Sequence, residues 1–160
     1  MKHSIDHIIT TYKASVFKIC LGFANSPMEA EDLLQEVFIN VWKGLKSFRA
    51  DANMKTWIYR IAANTCMLSL RKYKFKTTSI DQLNEATYLS NDSLALDHRV
   101  EALYRFIQQL PERDKTIILL YLDQLSHKEI AQVIGITPNN VGVKINRIKK
   151  QLKNKFKTNE

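Results

Sequence analysis

Apolar residues recur three and four positions apart along almost the whole of this 160-residue chain, and only four glycines and three prolines interrupt them. That period marks helices with one apolar face, so the expected fold class is all-α. A first helix should cover about residues 4–24. The next begins at "SPME", where Ser26 can cap, Pro27 suits the first helical position and Glu29 completes a capping box. A short connection, "SFRADAN", leads to a third helix from about Asn53 to Phe75. Four more are expected near 94–109, 112–123, 127–134 and 138–155. Two of their starts are explicit: "SHKE", with Ser126 and Glu129 as a capping box, and "TP", with Thr137 capping and Pro138 following.

The periodicity fades over "TTSIDQLNEATYLSNDSLALDH", a stretch rich in Ser, Thr, Asn and Asp. Such composition favours turns over helix and reads as a flexible linker. It would divide the chain into two small helical domains, 1–76 and 94–160, with 77–93 between them. The alternative is a long surface loop inside one domain, which compact domains rarely carry.

On a helical wheel, Leu33, Leu34, Val37, Phe38, Val41, Trp42 and Leu45 share one broad face of the second helix, and Glu29, Asp32, Glu36, Asn40 and Lys43 gather opposite. Taken alone, that polar face could simply be solvated. In the third helix Trp57, Ile58, Ile61, Ala62, Thr65, Cys66 and Leu68 look like core, while Arg60, Asn64, Met67, Arg71 and Lys74 form a stripe. With Tyr59, Tyr73 and Trp57 nearby, such a basic helix suits unstacked bases as well as a duplex.

The stretch "HKEIAQVIGITPNNVGVKINRIKKQL" has the layout of a helix-turn-helix. Ala131 is small enough for a close crossing, Gly135 can take a left-handed turn, and Val141 faces back into the seam. Ile130, Ile134, Ile136, Ile145, Ile148 and Leu152 supply further apolar contacts. Asn139, Asn140, Val143, Lys144, Asn146, Arg147, Lys149 and Lys150 are left at or near the open surface, where amides and cations can reach base edges and phosphates. Gly142 is discordant, because glycine inside a helix costs about 1 kcal/mol.

Charge fits an anionic partner without identifying it. Lys and Arg outnumber Asp and Glu by 24 to 16, for a net charge of +8. The excess is uneven: twelve cations against six carboxylates in residues 1–76, one against four in 77–100, and eleven against six in 101–160. The acidic patch of the second helix therefore lies in a basic half. Cys20 and Cys66 sit in apolar helical settings and read as small core residues of a reducing compartment. The amino terminus lacks an uninterrupted apolar core, and no run approaches the roughly 18 apolar residues of a membrane span. A soluble, cytoplasmic protein without membrane insertion is expected.

Two competing functions remain open on the residues alone. A free-standing DNA-binding regulator could use only the helix-turn-helix, with the first half as sensor or dimerisation domain. An enzyme could build a carboxylate metal site from Glu29, Asp32 and Glu36, but the helix carries no Glu-x-x-His pair, and His3, His7, His98 and His127 lack ligand spacing. No catalytic residue, cofactor, metal or small-molecule substrate is expected.

Taken in order, "AEDLLQEVFINVW", "FRADANMKTWIYRIAANTCMLSLRK" and "LPERDKTIILLYLDQLSHKEIAQVIGITPNNVGVKINRIKKQLK" resemble a bacterial RNA polymerase sigma factor of the sigma-70 family, extracytoplasmic-function (ECF) group. The resemblance spans nearly the whole chain outside the linker and extreme ends. It implies that the first half is region 2, which binds the polymerase clamp and opens the minus-10 element. It implies that the second is region 4, which reads the minus-35 element and docks on the β flap. By motif position, Asp32, Gln35 and Glu36, with Asn40 beside them, fall where the family meets the β′ clamp coiled coil. The loop residues Phe48, Arg49 and Asn53, with Trp57, Arg60, Asn64, Arg71 and Lys74, fall on the minus-10 side, where a flipped base is held. Asn139, Asn140, Val143, Lys144, Arg147 and Lys150 fall on the minus-35 side. The resemblance also implies RNA polymerase core and promoter DNA as partners, and an anti-sigma factor as a fair expectation. Leu68 stands where many members have an acidic or amide residue, and "NNVGVK" replaces the usual Thr-Val-Lys-Ser-Arg pattern, so promoter identity is not given by the resemblance.

Overall fold

A computed structural model describes residues 4–49, 53–76 and 97–158. Those residues form helices α1 (Ile5–Phe23), α2 (Pro27–Gly44), α3 (Met54–Lys76), α4 (Asp97–Gln108), α5 (Glu112–Leu122), α6 (His127–Ile134) and α7 (Pro138–Thr158), with a single 3-10 turn at Leu45–Ser47 after α2. No strand occurs among the described residues. The expected linker 77–93, and residues 94–96 of the expected fourth helix, lie outside them.

The helix starts follow local chemistry. The Ser26 hydroxyl accepts from Glu29 N–H at 3.1 Å, with Pro27 at the first helical position. The Glu29 carboxylate accepts from Asn25 N–H at 2.8 Å, not from Ser26, so the reciprocal half of the expected capping box is displaced by one residue. At α6 the box closes in full: Glu129 N–H donates to Ser126 and Ser126 N–H donates to Glu129. Asn53 caps α3 through Thr56 N–H, and Thr137 caps α7 through Asn140 N–H, each at 3.2 Å. Gly135 ends α6 at φ 86°, the left-handed conformation that glycine adopts without steric cost. Gln124 takes a similar conformation at φ 67° in the turn after α5.

Helices α1, α2 and α3 pack together around Val16, Ile19, Val37, Val41, Ile58 and Ala62, all fully buried. Helices α5, α6 and α7 close around Ile117, Leu120, Ile130, Val141, Ile145 and Ile148. Burying side chains of this size contributes about 1.5–3 kcal/mol each. The two groups also pack on one another, α1 against α4 and α5 and α3 against α6, and the buried apolar residues of both form one continuous cluster. The crossing of α1 and α5 is close because Gly22 lies under Leu119: a Cβ added at Gly22 would come within 2.5 Å of Leu119 Cδ1. Polar contacts complete the junction. The Gln108 amide donates to the Leu21 and Ala24 carbonyls at the end of α1, satisfying acceptors that a helix terminus leaves open.

Three expected placements are corrected. Trp42 is 60% exposed, while Val41 and Phe38 of the same helix are buried. Leu68 is 50% exposed on α3, and the core position belongs to Cys66. Tyr59 is buried, not surface-aromatic; its hydroxyl donates to Asp123 and its ring stands edge-on to Tyr12. Burial, then the bond to Asp123, pushes the Tyr59 phenol well above its usual range.

Gly142 is helical, and a methyl built on it would meet only the His127 imidazole, at ordinary contact distance of 3.4 Å. The residue is therefore not required by the crossing. Gly142→Ala should raise stability by about 0.5–1 kcal/mol from helix propensity, measured as a higher denaturant midpoint with unchanged slope.

Candidate nucleic-acid and polymerase interfaces

On α2, Asp32, Gln35 and Glu36 are exposed along one face. Asp32 and Glu36, with Glu29, border a cleft of about 190 Å³ whose other walls are Phe23, Ala24, Ser69 and Leu70, with Cys66 at its base. Gln35 and Glu31 border a second, larger groove of about 740 Å³ between α1 and α2, lined by Ile9, Phe17, Leu34 and Phe38. The carboxylates thus stand between two depressions, a surface suited to a basic protein ridge. Asn40 differs from its neighbours, since its amide donates to Thr65 Oγ1 at 3.0 Å and ties α2 to α3. It is half-buried and contributes to the face through its position more than through a free amide.

Beneath the buried side of α3, Cys20 and Cys66 bring their sulfurs within 3.9 Å as free, buried thiols. The contact with Cys20 and burial push the Cys66 thiol well up, which leaves it protonated and inert, as expected of core residues.

The expected minus-10 residues fall into two groups. Phe48 and Trp57 pack ring to ring, centroids 4.8 Å apart, forming an aromatic wall at the start of α3. Gly44 admits Trp57, for a Cβ there would lie 2.9 Å from the indole. Asn53 is spent on the α3 cap, Arg49 is exposed, and residues 50–52 of the loop lie outside the described ones. Farther along α3, Arg60, Asn64 and Arg71 are exposed on one stripe, and Lys74 lies on the same helix. Two of these cations are engaged by the second half: Arg60 donates to the Gln132 carbonyl at 2.7 Å, and Arg71 bonds Glu112 through Nε at 3.0 Å. The bond to Glu112 raises the Arg71 pKa. Lys55, which the sequence did not single out, pairs with Glu129 at 3.2 Å. That pair also helps lower the Glu129 carboxyl, although the Ser126 N–H bond of the capping box is the larger cause.

On α7, Asn139, Asn140, Arg147 and Lys150 are exposed, and Val143 is 59% exposed. This apolar residue in the middle of a polar surface is what a contact with a thymine methyl would need. Lys144 is half-buried, and both it and Arg147 approach Asp114 of α5, at 3.4 and 3.8 Å. Lys149 is exposed as expected, and its ammonium lies 4.5 Å from the Tyr121 ring centroid and bonds the Tyr121 hydroxyl at 2.6 Å. Asp114 carried no local signal, being separated from Lys144 by 30 residues and from Arg147 by 33.

Among the described residues no three His, Cys, Asp or Glu side chains are grouped to hold a metal ion, and no helix is long and apolar enough to cross a membrane.

Comparison with known proteins fits this geometry. The family profile "Sigma-70 region 2" matches residues 8–75, and "Sigma-70, region 4" matches residues 100–152. The "ECF RNA polymerase sigma-E factor" of Escherichia coli (strain K12) is 31% identical over 161 residues, covering 92% of this chain and 84% of that protein. The "ECF RNA polymerase sigma factor SigW" of Bacillus subtilis (strain 168) is 28% identical over 163 residues, covering 94% and 87%. Among solved structures, the sigma factor RpoE of Bartonella quintana, in complex with the anti-sigma factor NepR, superposes with a TM-score of 0.81 at 16% identity, covering 97% of this chain and 98% of that one. CnrH, in complex with the cytosolic domain of CnrY, gives 0.74 at 16% identity, covering 98% and 89%. At that identity the structural likeness speaks for the fold; the two profiles, in this order, define the specificity subunits of bacterial RNA polymerase. The chain belongs to the sigma-70 family, in its ECF group. It binds RNA polymerase and directs promoter-specific initiation of transcription.

Proposed function

We propose that the two halves divide promoter recognition, without catalysing a reaction of their own. Residues 1–76 bind the β′ clamp coiled coil through Asp32, Gln35, Glu36 and Asn40. The same half holds melted minus-10 bases against Phe48, Arg49, Asn53, Trp57, Arg60, Asn64, Arg71 and Lys74. Residues 94–160 read the minus-35 element with Asn139, Asn140, Val143, Lys144, Arg147 and Lys150, and dock on the β flap. Phosphate contacts supply salt-sensitive affinity, and base contacts choose the site. Capture of an unstacked base offsets unpairing costs of a few kcal/mol.

The observation that carries this reading is the exposed run of amide, apolar and cationic side chains on α7 at the end of a capped helix-turn-helix. RpoE was solved with an anti-sigma factor, which supports a partner of that class for this chain. Action on RNA polymerase supports a cytoplasmic location.

Run-off transcription with purified core polymerase and genomic promoter fragments tests the whole. Initiation should depend on added protein; tight specific duplex binding without polymerase, and no promoter opening, would favour a free-standing regulator. Within the same assay, Asn64→Ala should lower initiation about tenfold while leaving polymerase affinity within about twofold, a loss the size of one base contact. Equal use of native and altered minus-10 elements by both proteins would remove Asn64 from the site.

A further inference from the structure

The cationic side chains at the centre of the α7 surface are not free rotors. Lys144 and Arg147 lie three residues apart and so share a face of the helix. Asp114 of α5 meets both, its Oδ1 facing the Lys144 ammonium at 3.4 Å and its Oδ2 facing the Arg147 guanidinium at 3.8 Å. The carboxylate side chain is only 15% exposed, while Arg147 remains 56% exposed. Each cation is therefore held at one side with donors left over for a ligand, since a guanidinium carries five and an ammonium three. Asp114 is itself fixed in the first turn of α5, whose flanks Lys115 and Thr116 are buried.

Two effects follow for DNA. Long cationic side chains lose much rotamer freedom when they bind, and prior ordering reduces that loss and fixes which atoms they can reach. A carboxylate beside them also subtracts from the attraction to phosphates, which is sequence-independent. Both effects favour choice of site over affinity for any site.

We propose that Asp114 is a positioning residue for promoter choice, holding Lys144 and Arg147 toward base edges of the minus-35 element while weakening binding to unrelated duplex. The inference rests on the reading of α7 given above. It concerns a residue that need not touch DNA.

The test uses the full chain assembled with core polymerase, selecting from duplexes randomised across the minus-35 window of a promoter that the unaltered protein transcribes. Asp114→Asn should keep helicity, lower the ratio of best to scrambled window binding about tenfold, raise scrambled-duplex affinity about threefold, and steepen the salt dependence by about one phosphate contact. Asp114→Glu keeps the charge and should leave scrambled-duplex affinity at its original level, which guards against an Asn variant that fails to fold. In a Lys144→Ala, Arg147→Ala background, Asp114→Asn should cost no further selectivity. Unchanged selectivity in Asp114→Asn, or an equal loss in the double-Ala background, overturns the inference while leaving the α7 reading intact. A window preference absent even from the unaltered protein overturns the α7 reading and the inference together.

Discussion

Replacing Asp32 and Glu36 together by lysine should lower affinity for core RNA polymerase by at least about 100-fold, because like charges brought together at a protein interface cost several kcal/mol. Both residues are exposed on α2, while the buried face of that helix is carried by Leu33, Leu34, Val37, Phe38 and Val41. Helicity and melting temperature should therefore stay near their original values. Rim carboxylates act largely through encounter, so the loss should appear mainly as a slower association rate and shrink as salt is raised. Titration of labelled protein with core polymerase at two ionic strengths reads both quantities. Unchanged affinity at low salt would return the acidic face to a solvated surface.

The second large effect concerns the junction of the halves. Leu119→Ala should destabilise the protein by about 2–5 kcal/mol, the usual range for a buried leucine that leaves a cavity. Leu119 is 3% exposed and its methyl groups occupy the space over Gly22. Gly22→Leu alone should also be destabilising, by about 1–3 kcal/mol, since its side chain would enter occupied volume. Combined, the two changes exchange large and small partners across one contact, and the double variant should recover at least about 1 kcal/mol of the summed losses. Denaturant unfolding of the four proteins measures this coupling. Strict additivity would mean that α1 and α5 do not meet in solution as described.

Alkaline pH probes the same junction. The Tyr59 phenol is held protonated well above its usual range, by burial first and by Asp123 second. Tyrosine in the unfolded chain ionises near pH 10. Above that pH the unfolded state binds fewer protons than the folded one, so stability falls as pH rises, and it is unaffected by this group below. Tyr59→Phe should flatten the fall seen above about pH 10.

Helix positions were legible because capping is local. "SHKE" and "TP" specify their starts within four residues, and both were found as written. The helix-turn-helix was equally legible, since Ala131, Gly135 and Val141 act through size and backbone conformation, which residue type expresses directly. Side-chain phase was less so. Trp42 and Leu68 fit the apolar arc on a wheel, but on each helix that arc is wider than the buried surface, and both residues fall past its edge. Contacts between distant segments left no trace in the pattern. Asp114 beside Lys144, Glu112 beside Arg71 and Asp123 beside Tyr59 are separated by 30 to 64 residues, and nothing in a local window pairs them. Glu112, Asp114 and Asp123 of the second half hold particular cations and a phenol.

Lys55, Arg60 and Arg71 of α3 meet Glu129, the Gln132 carbonyl and Glu112 from the other half. An N–H that already serves one acceptor must give it up, wholly or in part, to serve another, although further donors of the same group stay open. Any polyanion that takes these three groups from α3 therefore loosens the grip between the halves, and anything that loosens the grip makes the three groups more available to the polyanion. By thermodynamic reciprocity the two changes are of equal free energy. If nucleic acid binds at these α3 groups as proposed, the separation of the halves and that binding form one coupled equilibrium, whose set point can be moved from either end.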